Sequence, residues 1–386
     1  MAKNILLNEL EQQILPFWIN NINPTTGCYY SEVQNDLTVK HNKPVSTTML
    51  YRYLWSFSSA YLYLHDKRLL NIANKIYQFV KKYSFDSHSG GVVWSLTENG
   101  ETIDYTKHLY AQAFAIYGLT EYYKITADKE VLHDALDIYH LIEKKAKNPQ
   151  GGFFEQFSYE WKKDSKNRIG FKGKDSLTTN THLHLLEALS NLYEVYPDKL
   201  VYQSCQELLT LFKKYIFTSE GYCHQFFNLY WENIDSTISY GHDIETSWLL
   251  HTACVKLNIN DSLLNKQLSR LCDYCLENGV DSSTGILYEN NHHTFYTWWV
   301  LAESCIGFLH AFQLSNNNKY INLYEQHFNF IHNYFLSQTG EWYAYLHNDL
   351  SIVEHSPMAD FWKGPYHTVR MYLKLLEIIN NLEGEQ

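Results

Sequence analysis

Proline and basic charge are both scarce in this 386-residue chain, which has 7 Pro and only 31 Lys plus Arg against 42 Asp plus Glu. The net charge of −11, with histidines neutral, argues against a nucleic-acid partner, because binding a polyphosphate rewards basic patches. It argues equally against docking on an anionic membrane surface. No run of about 18 apolar residues occurs, so no membrane span is expected. The opening MAKNILLNELEQQILPF has acids early and no apolar segment with a small-residue cleavage site, so no export signal is expected. Also missing are G-x-G-x-x-G after a strand, G-x-x-x-x-G-K-[ST], G-x-S-x-G and H-E-x-x-H. Nucleotide cofactors and serine hydrolase chemistry therefore lack support, and no cofactor is expected. The seven cysteines are an odd, scattered set, which points to reduced thiols and a cytoplasmic protein. The lone C-x-x-C of Cys272 and Cys275 lies in a helical-looking stretch and reads as packing.

What the chain does have is bulk. Hydrophobic residues make up 45% and aromatics 16%, enough for a sizeable core. Aromatic faces stack on the C–H faces of sugars, although large helical cores also use such residues. Apolar residues recur at three and four over 51–83, 109–125, 181–196 and 298–314, the pattern of helices. Between the helical segments a short signature returns six times. A small or polar pair precedes a glycine, and aromatic or apolar residues alternate after it. The copies centre on Gly27, Gly91, Gly152, Gly221, Gly285 and Gly340, spaced 55–69 residues apart. Each unit is long enough for two helices and their loops. One helix pair cannot bury its apolar faces alone, whereas six can close into a ring. The expected fold is all-α: a barrel of six helical hairpins forming a single domain over 1–386. Its extended loops should gather at one mouth, where a ligand site is expected.

Several segments carry groups suited to that mouth. In SYGHDIETSWLLHTA (239–253), His242, Glu245 and Trp248 lie three apart and stay near one side of a helix. In DFWKGPYHTVRMYLKLLE (360–377), Gly364 and Pro365 break the chain before a helix carrying His367, with Trp362 in the loop. Asn180 and His184 share a helix face, as do Trp299 and Glu303. Each histidine on its own also suits a structural role. Arg52 opens a strongly apolar helix and cannot shed its charge, so it requires an anion, a polar ligand or the site mouth. His182, His184 and Glu187 could suggest a metal site, but helical ligand pairs are usually spaced four apart, and no metal is expected.

Together NTHLHLLEA (180–188), GHDIETSWLL (241–250), WWVLAES (298–304) and WKGPYH (362–367) resemble the N-acylglucosamine 2-epimerase superfamily. Within it they are most similar to the cellobiose 2-epimerases. RYLWSFS (52–58) and YAQAFAIYGLTEYY (110–123) look like the family's N-terminal blocks. The resemblance implies an (α/α)6 barrel, with catalysis by His242 and His367. It implies sugar contacts at Arg52, Tyr110, Phe114, Asn180, His184, Glu245, Trp248, Trp299, Glu303 and Trp362.

The chemistry expected of such a set is proton transfer. Once an aldose ring opens, its carbonyl acidifies the proton on C2. Histidine works as a base near neutral pH without much perturbation. His367 would remove that proton and His242 return one to the opposite face. Arg52 and His184 would hold the enediolate charge, with His184 also assisting ring opening. The partner would be a small sugar, either a disaccharide or a monosaccharide aldose, and a monomer is expected. A mannose or glucose 2-epimerase, an aldose–ketose isomerase, a glycoside hydrolase and a non-catalytic sugar-binding protein remain open alternatives.

Overall fold

In the computed structural model, which describes residues 3–384, the chain is almost entirely helical. The outermost two residues at each end of the 1–386 span lie outside the described residues. An N-terminal pair, α1 (Lys3–Glu9) and α2 (Leu15–Asn20), is joined by a π-helical turn. Five helical hairpins follow: α3 (Thr47–Leu64) with α4 (Lys67–Tyr83), α5 (Leu109–Thr126) with α6 (Lys129–Lys145), α7 (Thr179–Val195) with α8 (Lys199–Leu211), α9 (Tyr240–Lys256) with α10 (Ser262–Asn278), and α11 (Trp298–Ser315) with α12 (Asn318–Phe330). The last helix is α13 (Pro365–Gly384).

The six odd-numbered helices from α3 to α13 form a ring, each packed on the next, and α13 closes back on α3. Their residues are apolar nearly all round and mostly buried, as befits helices enclosed on every side. The even-numbered helices from α4 to α12, with α1 packed on α13, make the outer layer. This is the (α/α)6 barrel.

The 51–83 run divides into α3 and α4 because His65 adopts a left-handed conformation and Asp66 caps the second helix from its side chain. Asp128, Asp198, Asp261 and Asn317 cap the later outer helices in the same way, so these return turns are short. The opposite end is built differently. All six signature glycines have positive φ, and an isolated bridge encloses each turn: Ile22–Tyr29, Phe85–Val92, Lys147–Phe153, Phe217–Cys223, Val280–Leu287 and Leu336–Trp342. Gly91 shows why glycine is needed. Its φ is 71°, and a Cβ there would lie 2.7 Å from both Gln112 and Trp161. Two-residue antiparallel strands then lead into α3, α5, α7 and α11, while loops enter α9 and α13, so six helix N-termini and six loops share one mouth.

Candidate active site

The repeat places side chains in layers at this mouth. Arg52, Phe114, His184, Glu245, Glu303 and Arg370 are each the sixth residue of their inner helix. They form the floor. Tyr110, Asn180 and Trp299 are second residues, and His242 and His367 are third residues, one turn nearer the opening. Fourth residues point the other way. Gln112, His182 and Asp243 accept hydrogen bonds from the backbone N–H groups of Val92, Phe153 and Cys223 at the glycine turns. His182 is therefore structural, and its Nδ1 donates to the Thr178 carbonyl at 2.9 Å.

An ion cluster organises the floor. Arg370 is fully buried and donates to Glu187 at 2.8 Å, Glu245 at 2.5 Å and Glu303 at 2.6 Å, as well as to the Tyr366 hydroxyl. Burial pushes the Glu187 carboxyl up, but Arg370 and His184 overcome this and hold it down at about 2. Burial raises the carboxyls of Glu245 and Glu303 above the usual range. Oxygen and nitrogen donors of Glu245, Glu303 and His367 lie within 4.8 Å of one another, a spacing that could hold a metal ion. The Arg370 guanidinium, which cannot lose its charge, already bridges the two carboxylates, so this donor set does not fit a cation.

The carboxylates orient the histidines. His367 donates from Nδ1 to Glu303 at 2.7 Å, which leaves Nε2 with a lone pair. His184 donates from Nδ1 to Glu187 at 2.8 Å. Trp248 lies behind Glu303 and donates to it at 3.1 Å, so its indole braces the carboxylate. His242 pairs through Nδ1 with Ser239 Oγ at 2.8 Å. The rings of His242 and His367 both lie against one indole, with centroids 5.0 and 5.8 Å from that of Trp299. Burial first, and His184 second, push His242 down to about 3. Burial, then Arg370 and Arg52, push His367 well below its ordinary value. Both rings are therefore neutral near pH 7.

Arg52 makes no ion pair among the described residues. Its guanidinium lies 4.2 Å from the Phe114 ring and 4.8 Å from that of Tyr366, and donates to the Tyr110 hydroxyl at 2.6 Å. Among the described residues its Nε has no hydrogen-bond partner, and neither does Asn180 Oδ1. Trp362 is 43% exposed at the rim, 6.0 Å from Trp94. The structure thus links Arg52, Tyr110, Phe114, Asn180, His184, Glu245, Trp248, Trp299, Glu303, His242 and His367 in one network of contacts, whereas His182 faces the glycine turn and Trp362 stands at the rim against Trp94. It adds Arg370, Tyr366, Ser239 and Trp94. Arg370 was legible by the argument applied to Arg52, since it too is an arginine inside an apolar helix.

The N-acylglucosamine 2-epimerase (GlcNAc 2-epimerase) family model matches residues 27–370. The chain belongs to this family. Among the family's proteins, it is 34% identical to a cellobiose 2-epimerase of Dictyoglomus turgidum, over 98% of this chain and 99% of that protein. It is 32% identical to one of Bacteroides fragilis, over 97% and 99%. The solved cellobiose 2-epimerase of Bacillus thermoamylovorans superposes with a TM-score of 0.93 at 34% identity, over 97% of this chain and 98% of that one. A D-mannose isomerase shares the fold, with a TM-score of 0.87 at 20% identity.

Proposed function

We propose that this chain epimerises the reducing-end aldose of a cellobiose-type disaccharide at C2, through an enediolate and with two histidines as the proton-transfer groups. Family membership makes it a carbohydrate 2-epimerase, an isomerase. The observation that carries the mechanism is the pair of neutral histidines packed against Trp299, next to an arginine that makes no ion pair among the described residues.

His367 is the base. Its Nε2 lone pair takes the C2 proton, and Glu303 stabilises the imidazolium that forms. The enediolate oxygen gathers negative charge that Arg52, with its free Nε, is placed to hold. His184 works beside it and assists ring opening. Once the enediolate has formed, its negative charge lets His242 take a proton from solvent and deliver it to the opposite face, while His367 returns the C2 proton to solvent. Protonation at C1 instead gives the ketose, so some isomerisation accompanies epimerisation. Trp299 and Trp362 present apolar faces to the sugar rings, with Tyr110 and Asn180 near the hydroxyls. The floor carboxylates are engaged by Arg370, which does not favour a glycosidase acid/base pair. Every group comes from one chain, so a monomer suffices. The seven buried, unpaired thiols suit the cytoplasm.

The test is incubation of EDTA-treated enzyme with cellobiose, mannose and N-acetylglucosamine in D₂O. Deuterium should enter C2 of the epimer, with cellobiose turned over best. His242→Ala and His367→Ala should each abolish turnover, and full activity in either sinks the two-histidine scheme. Faster turnover of mannose assigns the chain to monosaccharides instead.

A further inference from the structure

We infer that Glu341 and Lys363 are positioning residues for His367, acting as a buried clamp on both ends of the turn that enters α13. This rests on the epimerase reading and assigns work to two side chains that touch no sugar. Lys363 Nζ donates to Glu341 Oε1 at 3.2 Å and to the Met358 carbonyl at 2.8 Å. Thr368 Oγ1 donates to the same Glu341 oxygen at 3.0 Å. One carboxylate oxygen thus holds residue 363 on one side of His367 and residue 368 on the other. Glu341 itself directly follows Gly340 in the sixth glycine turn, so the histidine is referenced to the barrel wall.

The surroundings make the clamp rigid. Glu341 is 0% exposed and Lys363 2%. The ammonium lies 5.4 Å from the Trp18 ring and 5.7 Å from that of Trp298, and the Trp298 ring meets His367 edge-on at 6.5 Å. Asp360 Oδ1 accepts from the backbone N–H groups of Trp362 and Lys363, both at 2.7 Å. Buried ion pairs seldom add net stability over apolar packing, because both charges must leave water. What this pair adds is direction. A flexible W-K-G-P-Y-H turn containing Gly364 would otherwise let the start of α13 shift by fractions of an ångström. A reacting base displaced by about 1 Å costs on the order of 10²-fold in rate.

The decisive variant is the double substitution Lys363→Met with Glu341→Gln, which removes both charges and leaves neither buried alone. Folded double variant, verified by near-ultraviolet circular dichroism, should exchange the C2 proton of cellobiose about 10²-fold more slowly in kcat. Its KM should stay within about threefold, and its ketose-to-epimer ratio should rise because return to C2 is misaligned. A purely structural pair would not move that ratio. Parental kcat in the folded variant, or a loss confined to KM, overturns the inference. Should the double variant fail to fold, Thr368→Val removes one bond to the same oxygen without freeing a charge. About tenfold lower kcat at unchanged KM is then expected, and parental kcat overturns the clamp. Absence of C2 exchange in the parent enzyme would instead refute the epimerase reading itself.

Discussion

Replacing Arg370 with leucine should destabilise the barrel and do so more severely as the pH rises. Among the described residues, Arg370 is the only cation bonded to Glu187, Glu245 and Glu303 together, and all four side chains are buried. Breaking a buried ion pair by removing one partner costs about 3–5 kcal/mol, because the remaining charge has no counter-ion. With an unfolding entropy of about 2.1 cal/mol/K per residue over 386 residues, that corresponds to a Tm lower by roughly 4–6 °C. The pH dependence follows from Glu187. In the native chain its carboxyl is held at about 2, below its unfolded value. Its contribution is present above the ordinary carboxylate range and is lost as pH falls towards 2. Without Arg370, burial dominates and the folded value rises above the unfolded one. The sign then reverses: the variant is least destabilised below the carboxylate range and loses stability as pH rises through it. Thermal melts at pH 4 and pH 7.5 measure this directly. An equal Tm deficit at both values, or none at pH 7.5, refutes the account of the floor.

Glu303→Gln should lower kcat on the order of 10²-fold with little change in KM, because His367 loses the carboxylate that supports its protonated form; steady-state kinetics on cellobiose would reveal a KM effect if Glu303 served mainly to bind sugar. Since burial depresses both His242 and His367, kcat/KM should stay level as pH falls through 6.5, and an acid limb at that value in the pH–rate profile would contradict the neutral pair. Gly91→Ala should cost about 1–3 kcal/mol in denaturant unfolding, for its positive φ and the crowding by Gln112 and Trp161; wild-type stability would show that the turn relaxes freely.

The six-fold plan was legible because each turn imposes a local demand that only glycine meets cheaply. That demand marks the sequence at Gly27, Gly91, Gly152, Gly221, Gly285 and Gly340 whatever the neighbouring helices contain. The two histidines and the residues around them were legible through short motifs. The ion cluster was not. Glu187, Glu245, Glu303 and Arg370 come from four inner helices and meet only when the ring closes, so no sequence spacing announces their meeting. The same holds for the close donors of Glu245, Glu303 and His367, which lie about 60 residues apart in sequence. Arg370 itself yields to the argument used for Arg52, an arginine inside an apolar helix, but which carboxylates it meets does not follow from that argument. The division of 51–83 at His65 was hidden because the apolar rhythm of α3 continues into α4.

Closure of the ring by its last helix has a consequence for the protein's birth. Chains leave the ribosome amino end first. When His242 has emerged, more than one hundred residues remain to be made before His367 follows. A nascent chain therefore carries one of the two proposed proton-transfer histidines and an unfilled gap between α11 and α3. Glu9, near the start, bonds His332 and Tyr372 near the end, each at 2.8 Å, so the first helix also waits for the final ones. Until α13 docks between α11 and α3 the inner helices keep apolar faces uncovered, and that interval is when the chain most needs protection from aggregation.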